Sequence, residues 1–450
     1  MPLSVAELQP ALHDLFTGCA EQLAQETGFC LRQRKLTGAV FAQGLVFSLL
    51  DNPACTLEDL ADNAGDYFGL DVRPQAFDRR FTQPAACFLQ ELLLEAFNRC
   101  FSSAHPAVLP LLRRFHGGVH VRDATVVSLP AALAPFFPGC GGAKPGEGVA
   151  AVKLVFSLDV TRGVLDGLSI LAGRDNEKLA EVALAPLPEG ALLLEDMGFF
   201  SGERLEHYAS QGVYFLSRVP VGTTIFADNG GPIDLVKLLR RAKGWHLERK
   251  VRLIARRMLP CRLLAVRLPE EEAEQRRQKA REEARKKGRP ASAAKLELCA
   301  WNILVTNAPA ELLSVFEACV ARRVRWQVEL LFKVFKSEGK IDQSRSAKPW
   351  RVLCELYAKL LGMLVQQWLL LAAGFEILRH SGMKAARRVR QLAWELVKAL
   401  GRIEQLQRLV QRVRQRLQRR CRLKFRHGEP STLDRLSALD PEIHGLKEPA

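Results

Sequence analysis

The 450-residue chain has 11 cysteines and no C-x-x-C pair among them, which excludes a zinc ribbon and a disulfide framework. Scattered positions such as Cys19, Cys30, Cys55 and Cys87 read as reduced thiols in a cytosol. The N-terminus, MPLSVAELQPALHDLF, puts acids early and lacks the basic segment that opens a signal peptide. Long uninterrupted apolar runs are missing as well. The most membrane-like stretch, Leu356–Leu378, carries Lys359, Gln366, Gln367 and Glu376 and is expected to be a buried helix, not a span. These absences describe a soluble, intracellular chain. Acids are the scarcer charge, 49 against 65 lysines and arginines, for a net charge of +16. Such an excess favours a polyanionic partner, nucleic acid before membrane surface.

What the chain does have is enough apolar residue, 48%, for two to four packed domains. Residues 1–113 read as helical. Thr56 and Asp59 form a capping-box pattern ahead of Leu60 and Ala61, and Pro74 opens the basic stretch Arg73–Phe81 near a first helical turn. Helix, turn and basic helix are compatible with helix-turn-helix DNA binding, or with an ordinary helical hairpin. Residues 114–220 change character. Val119–Val127, Val152–Val160 and Val164–Leu171 read as strands, Asp175–Leu184 as a helix, Ala191–Asp196 as a central strand, and Val213–Val219 as another. Between the last two, Ser201 is placed to cap a helix ending before Gly212. Three antiparallel-looking strands followed by strand–helix–strand is the order of an RNase H-like core.

Residues 221–319 form a β-rich insertion, with strand-like runs at Val251–Ile254, Leu263–Leu268 and Leu296–Val305. Within it Glu270–Lys287 alternates acids and bases without an apolar face, as in a solvated helix or arm. Residues 320–380 return to the core. In 381–450 a 3-4 spacing of Leu396, Ala399, Ile403, Leu406, Val410, Val413 and Leu417 marks the seam of a coiled coil or long helical hairpin. Arginines crowd its other faces, and the stretch from Glu429 is polar and loosely ordered. The expected class is thus α/β (α+β), a mixed sheet with helices, flanked by helical terminal regions.

The stretch Arg322–Lys336, RRVRWQVELLFKVFK, carries the chemistry. Drawn as one helix with Arg325 at 0°, Glu329 falls near about 40°, Lys336 about 20° and Arg322 about 60°. Val324, Val328, Leu331 and Phe335 form the adjoining apolar flank. A single carboxylate among cations is either a solvated face, with Glu329 pairing Lys333 at i,i+4, or one metal-binding acid beside phosphate contacts. The second reading needs two further carboxylates. Asp123, within the first core strand, and Asp196, ending the central strand, qualify, because side chains at such strand ends can converge with one from a helix. Asp159 is a rival, although Asp-Val-Thr-Arg-Gly has the look of a hairpin corner. Three gathered carboxylates repel, and divalent cations with oxygen ligands relieve that repulsion.

The same stretch resembles the Tyr-x2-Arg-x3-Glu-x6-Lys motif of insertion-sequence DDE transposases of the IS-four family. Arg325, Glu329 and Lys336 fall on its arginine, glutamate and lysine. DATVVSLPAALAPFFPGCGG around Asp123 and LLLEDMGFFS around Asp196 look like the same family, and the likeness runs from about Leu36 to Trp350. It implies an RNase H-like core, a metal-binding triad of Asp123, Asp196 and Glu329, and two magnesium ions, with manganese as a substitute. DNA contacts would come from Arg322, Arg325, Lys333 and Lys336. Trp245 is the candidate for the aromatic that this family uses to hold a flipped base.

The implied reaction is cut-and-paste transposition. Hydrolysis at the element's 3′ end frees a hydroxyl, which attacks the opposite strand to form a hairpin that is reopened before joining to target DNA. The implied partners are double-stranded DNA, as terminal inverted repeats and target, and a second copy of the chain in a synaptic complex. The N-terminal region would read the repeats and the C-terminal region would support the dimer, in a bacterial cytoplasm at the nucleoid. One position departs from the motif: Arg322 stands where the family has tyrosine. That departure supports the rival expectation of a catalytically impaired DNA-binding relative or inhibitor. A nuclease on the same core ranks below both.

Overall fold

The computed structural model describes residues 3–32, 35–99, 101, 110–141, 149–182, 184–253, 258–423, Asp434 and Leu436. Residues 142–148 of the Gly- and Pro-rich loop, Ile254, and the tail from Glu429 apart from Asp434 and Leu436 lie outside the described residues. The chain divides into two compact units, one of Met1–Pro106, Asp123–Ala185 and Gln327–Lys424, the other of Ala107–Arg122, Pro186–Trp326 and Phe425–Ala450.

Strand β1 (Val119–Leu129) contributes to both units, which divide between Arg122 and Asp123. In the first unit it neighbours β2 (Ala150–Asp159), which pairs antiparallel with β3 (Val164–Ala172). The corner between β2 and β3 fits the hairpin reading of Asp159, whose Oδ1 accepts the Arg162 N–H at 3.1 Å. Gly163 supplies the left-handed φ of 72° that the corner needs. Asp175–Leu184, read as a helix, is instead a 3-10 segment at Glu177–Val182. An i→i+3 bond, Leu179 N–H to the Asn176 carbonyl, tightens its first turn.

Helices Gly38–Asp51, Gln83–Asn98 and Pro349–Ala372 pack together in this unit. The last is buried along nearly its whole length, which explains its membrane-like composition. Its Lys359 is held by the carbonyls of Lys340 and Gln343 at 3.1 and 2.6 Å. Among the described residues no helix is long and apolar enough to cross a membrane. The Thr56–Asp59 capping box forms as read, ahead of the helix Leu57–Phe68. The helix-turn-helix reading does not survive, because the second helix, Pro74–Asp78, is only five residues long. Thr82 caps a new helix there, and Arg80 turns inward over the Phe29 ring to bond Cys30 Sγ and the Leu36 carbonyl. The hairpin alternative holds.

At the C-terminal end of the unit, the helix Ile403–Arg420 buries Leu406, Leu409, Val410, Val413 and Leu417 against other helices of its own unit. The apolar seam is consumed within the chain, as in a helical hairpin.

In the second unit β1 pairs parallel with β4 (Leu192–Glu195), which pairs parallel with β5 (Tyr214–Arg218). The order β3-β2-β1-β4-β5 is the RNase H-like one. All four residues of β4 are buried, as a central strand requires. Ser201 stands at the N-cap of Gly202–Ser210, but its hydroxyl makes no capping bond. Beyond β5 come β6 (Ile225–Ala227), β7 (Pro232–Ile233), β8 (His246–Leu253), β9 (Leu259–Arg267) and β10 (Trp301–Thr306). They extend the same sheet in the order β5-β10-β9-β8-β6-β7, so the strands of the insertion continue the core.

Leu193, Phe215, Leu205, Tyr208, Val251, Leu263 and Val305 share one apolar core here. Two readings within the insertion change. Leu296–Leu298 belongs to the helix Ala293–Leu298, capped by Ser292, and the strand starts only at Trp301. The charged segment is a helix, Glu270–Lys286, and it has an apolar stripe after all, made of Ala273, Ala280 and Ala284.

Candidate active site

The last rung between β1 and β4 pairs Arg122 with Glu195; Asp123 is the next residue of β1, and Asp196 is the first residue beyond the end of β4. Asp123 is half-buried, and its Oδ1 accepts the Ala124 N–H at 2.8 Å. Asp196 leaves the strand with extended backbone and a side chain 45% exposed.

Glu195 and Asp196 show what strand alternation does to adjacent acids. Glu195 is buried, and its Oε1 accepts from Arg204 Nη2 at 2.8 Å. Arg204 also bonds the Tyr208 hydroxyl at 3.1 Å and the Phe199 carbonyl, while Arg122 donates to the same hydroxyl at 2.7 Å. This buried network anchors the end of β4 and therefore the backbone of Asp196. Sequence reasoning missed it. The available signal was a second acid beside Asp196 on the inward face, which needs a cation from the next helix.

The motif stretch is not one helix. Ser314 and Glu317 form a capping box that starts the helix Val315–Val324, a new helix covers Trp326–Ser337, and Arg325 stands between them. The cause is local: Arg325 keeps helical dihedrals, but its N–H bonds the Arg322 carbonyl, three residues back, at 3.3 Å. Of the apolar flank, Val324, Val328 and Phe335 are buried as read, while Leu331 is only half-buried. Glu329 is half-buried in the first turn of its helix and Lys336 lies in the last, the favourable ends for those charges. Lys333 is exposed and Arg325 half-buried.

Arg322 is where the structure departs most from the reading. It is buried, 8% exposed, and donates from Nη2 to Asp196 Oδ1 at 3.3 Å. A second arginine feels this carboxylate. Arg218, at the end of β5, has its pKa pushed below the usual guanidinium range, by burial first and then by the charge of Arg276, with Arg325 adding to the effect. Asp196 opposes that shift. Arg218 was not singled out from the sequence. Its position at a strand end beside the Asp196 strand was the signal. Trp245 packs on Phe316 and His246, with ring centroids 4.8 and 4.7 Å away.

For a divalent cation the carboxylate of Asp196 offers the oxygen donors that such an ion takes. Asp196 fits individually: its side chain is open to solvent, and the 3.3 Å contact to Arg322 is long for a charge-assisted bond, typically about 2.7–2.9 Å. Among the described residues, no three His, Cys, Asp or Glu side chains stand grouped so that they could hold a metal ion.

Comparison with known proteins adds an independent line. The family described as Transposase DDE domain matches residues 118–365, more than half of the chain. The transposase for insertion sequence element IS231F of Bacillus thuringiensis subsp. israelensis is 27% identical over 387 residues, covering 81% of this chain and 80% of that protein. The transposase for insertion sequence element IS231D of Bacillus thuringiensis subsp. finitimus is 28% identical, covering 78% and 77%. That for IS1151 of Clostridium perfringens is 25% identical, covering 76% of each. Among solved structures, a piggyBac transposase synaptic complex with hairpin DNA aligns with a TM-score of 0.47 at 10% identity, over 91% of this chain and 84% of that one.

Proposed function

We propose, from the premise that this chain belongs to the transposase DDE domain family and is a DNA transposase, that Asp123, Asp196 and Glu329 are its metal-binding carboxylates. The family's chemistry requires a divalent metal, and magnesium is the ion we assign, two per site. Bound metal would sharpen the attacking oxygen and stabilise the departing one. The observation that carries the assignment is the register: both aspartates follow the rung Arg122–Glu195 on adjacent parallel strands. Glu329, in the motif spacing with Arg325 and Lys336, completes the set.

The chain's own groups divide the work. Arg204 and Glu195 hold the end of β4 so that Asp196 meets its ligand with little reorganisation. Arg325, Lys333 and Lys336 contact DNA phosphates and fix the register of the transposon end, with Arg322 available as a fourth once it leaves Asp196. Cut-and-paste excision then proceeds by water attacking a phosphodiester, the 3′ oxygen leaving, and the freed 3′ hydroxyl attacking the opposite strand. Terminal inverted repeats and target DNA are the substrates, and two copies of the chain act in a synaptic complex in the bacterial cytoplasm.

DNA that carries the element's ends tests the reading. Asp196→Ala should shift such DNA in a gel as the parent does and cut none of it in magnesium, and unchanged cutting would refute the triad. A second reading, a DNA-binding relative that does not cut, is favoured by one observation, the Arg322–Asp196 contact. It predicts that the parent itself binds ends and cuts nothing at any magnesium concentration.

A further inference from the structure

Two ion pairs flank the end of β4, and they differ in kind. Arg204–Glu195 closes at 2.8 Å with side chains 8% and 5% exposed. Arg322–Asp196 is longer, 3.3 Å, and its acid is 45% exposed. The first is sealed into the fold, whereas the second joins a buried cation to a carboxylate that water and ions can reach.

We propose that Arg322 is the internal counter-ion of Asp196 and sets how tightly this chain takes a divalent cation at that carboxylate. The inference rests on reading Asp196 as a metal ligand. Arg322 is carried on a helix that is fixed by the Ser314–Glu317 capping box and by burial of Ala318, Val320, Ala321 and Val324. Its guanidinium is therefore delivered to Asp196 without the chain entropy that a surface arginine would lose. The pair already offsets part of the charge of Asp196, so an incoming cation meets a competitor as well as water. Arg218, whose charge interacts with that of Asp196, adds positive charge that works in the same direction. A neutral side chain at position 322 removes the competitor and leaves the carboxylate exposed.

The consequence is measurable without DNA or catalysis. Manganese binding to the free protein, followed by calorimetry or by the spin-resonance signal of unbound ion, compares the parent with R322Y, R322Q, R322K and D196N. R322Y and R322Q should bind manganese about fivefold more tightly, the scale of a half-exposed ion pair. R322K, which keeps the charge, should stay within about twofold of the parent on the same scale. The metal concentration for half-maximal end cleavage should fall in parallel for the neutral variants. Unchanged affinity in folded R322Y and R322Q overturns the proposal, as does failure of both neutral variants to fold, which would make Arg322 a structural cation. D196N separates the two levels. If it binds manganese like the parent, the metal reading of Asp196 fails. If it loses binding while the neutral variants at 322 do not gain, only the role of Arg322 fails.

Discussion

Glu195 and Asp196 are neighbours in sequence with opposite fates. Alternation along β4 sends Glu195 inward to Arg204 and leaves Asp196 half open. The strand and its terminal acid were legible from the apolar run Leu192–Leu194 alone. The partner of Glu195 was not, because it arrives from a helix after a turn, and burial decides the pairing. Breaking a buried pair from one side strands a charge, at a cost of about 3–5 kcal/mol. Arg204→Met should therefore lower unfolding stability in urea by that order, and Arg204→Met with Glu195→Gln should recover part of the loss. A single variant within about 0.5 kcal/mol of the parent would remove this network from the account. Arg322 teaches the complementary lesson. The motif reading put it on the cationic face of a single helix, but the helix parts at Arg325 and Arg322 is buried against Asp196, which periodicity does not encode.

At the scale of elements, apolar patterning was reliable where burial is one-sided and misleading where capping intervenes. The flank Val324, Val328 and Phe335 is buried as read, yet the motif spans two helices that part at Arg325. Leu296–Leu298 has strand-like composition, but Ser292 caps it into a helix. In the charged helix Glu270–Lys286 the buried face is alanine, too weakly hydrophobic to stand out among so many charges.

The helix Ile403–Arg420 shows its seam inward, so what it offers to solvent is cationic. Arg408, Arg419 and Arg420 are exposed there, and their function on this reading is to neutralise DNA phosphates. Replacing all three with alanine should leave the melting temperature unchanged. It should reduce the slope of log affinity for DNA against log salt by about 2–3, at roughly 0.9 for each phosphate left without its arginine. An unaltered slope would take this face out of the DNA interface.

For the whole molecule, Asp123 within β1 and Asp196 after β4 were singled out by the family resemblance, whereas the succession of strands from β1 to β5 along the chain could be read from composition. Continuation of the core sheet through β10, β9, β8, β6 and β7 could not, because pairing between strands about ninety residues apart leaves no local pattern, as with Thr306 against Leu216. The central claim is that Asp123, Asp196 and Glu329 serve one metal site. Ferrous iron substituted for magnesium, with ascorbate and peroxide, cuts a polypeptide beside the ligands that hold it. The account predicts backbone breaks near all three residues in a single sample, each suppressed by excess magnesium and all weakened together by Asp196→Ala. Breaks confined to one of the three positions, or a pattern that Asp196→Ala leaves intact, would contradict it.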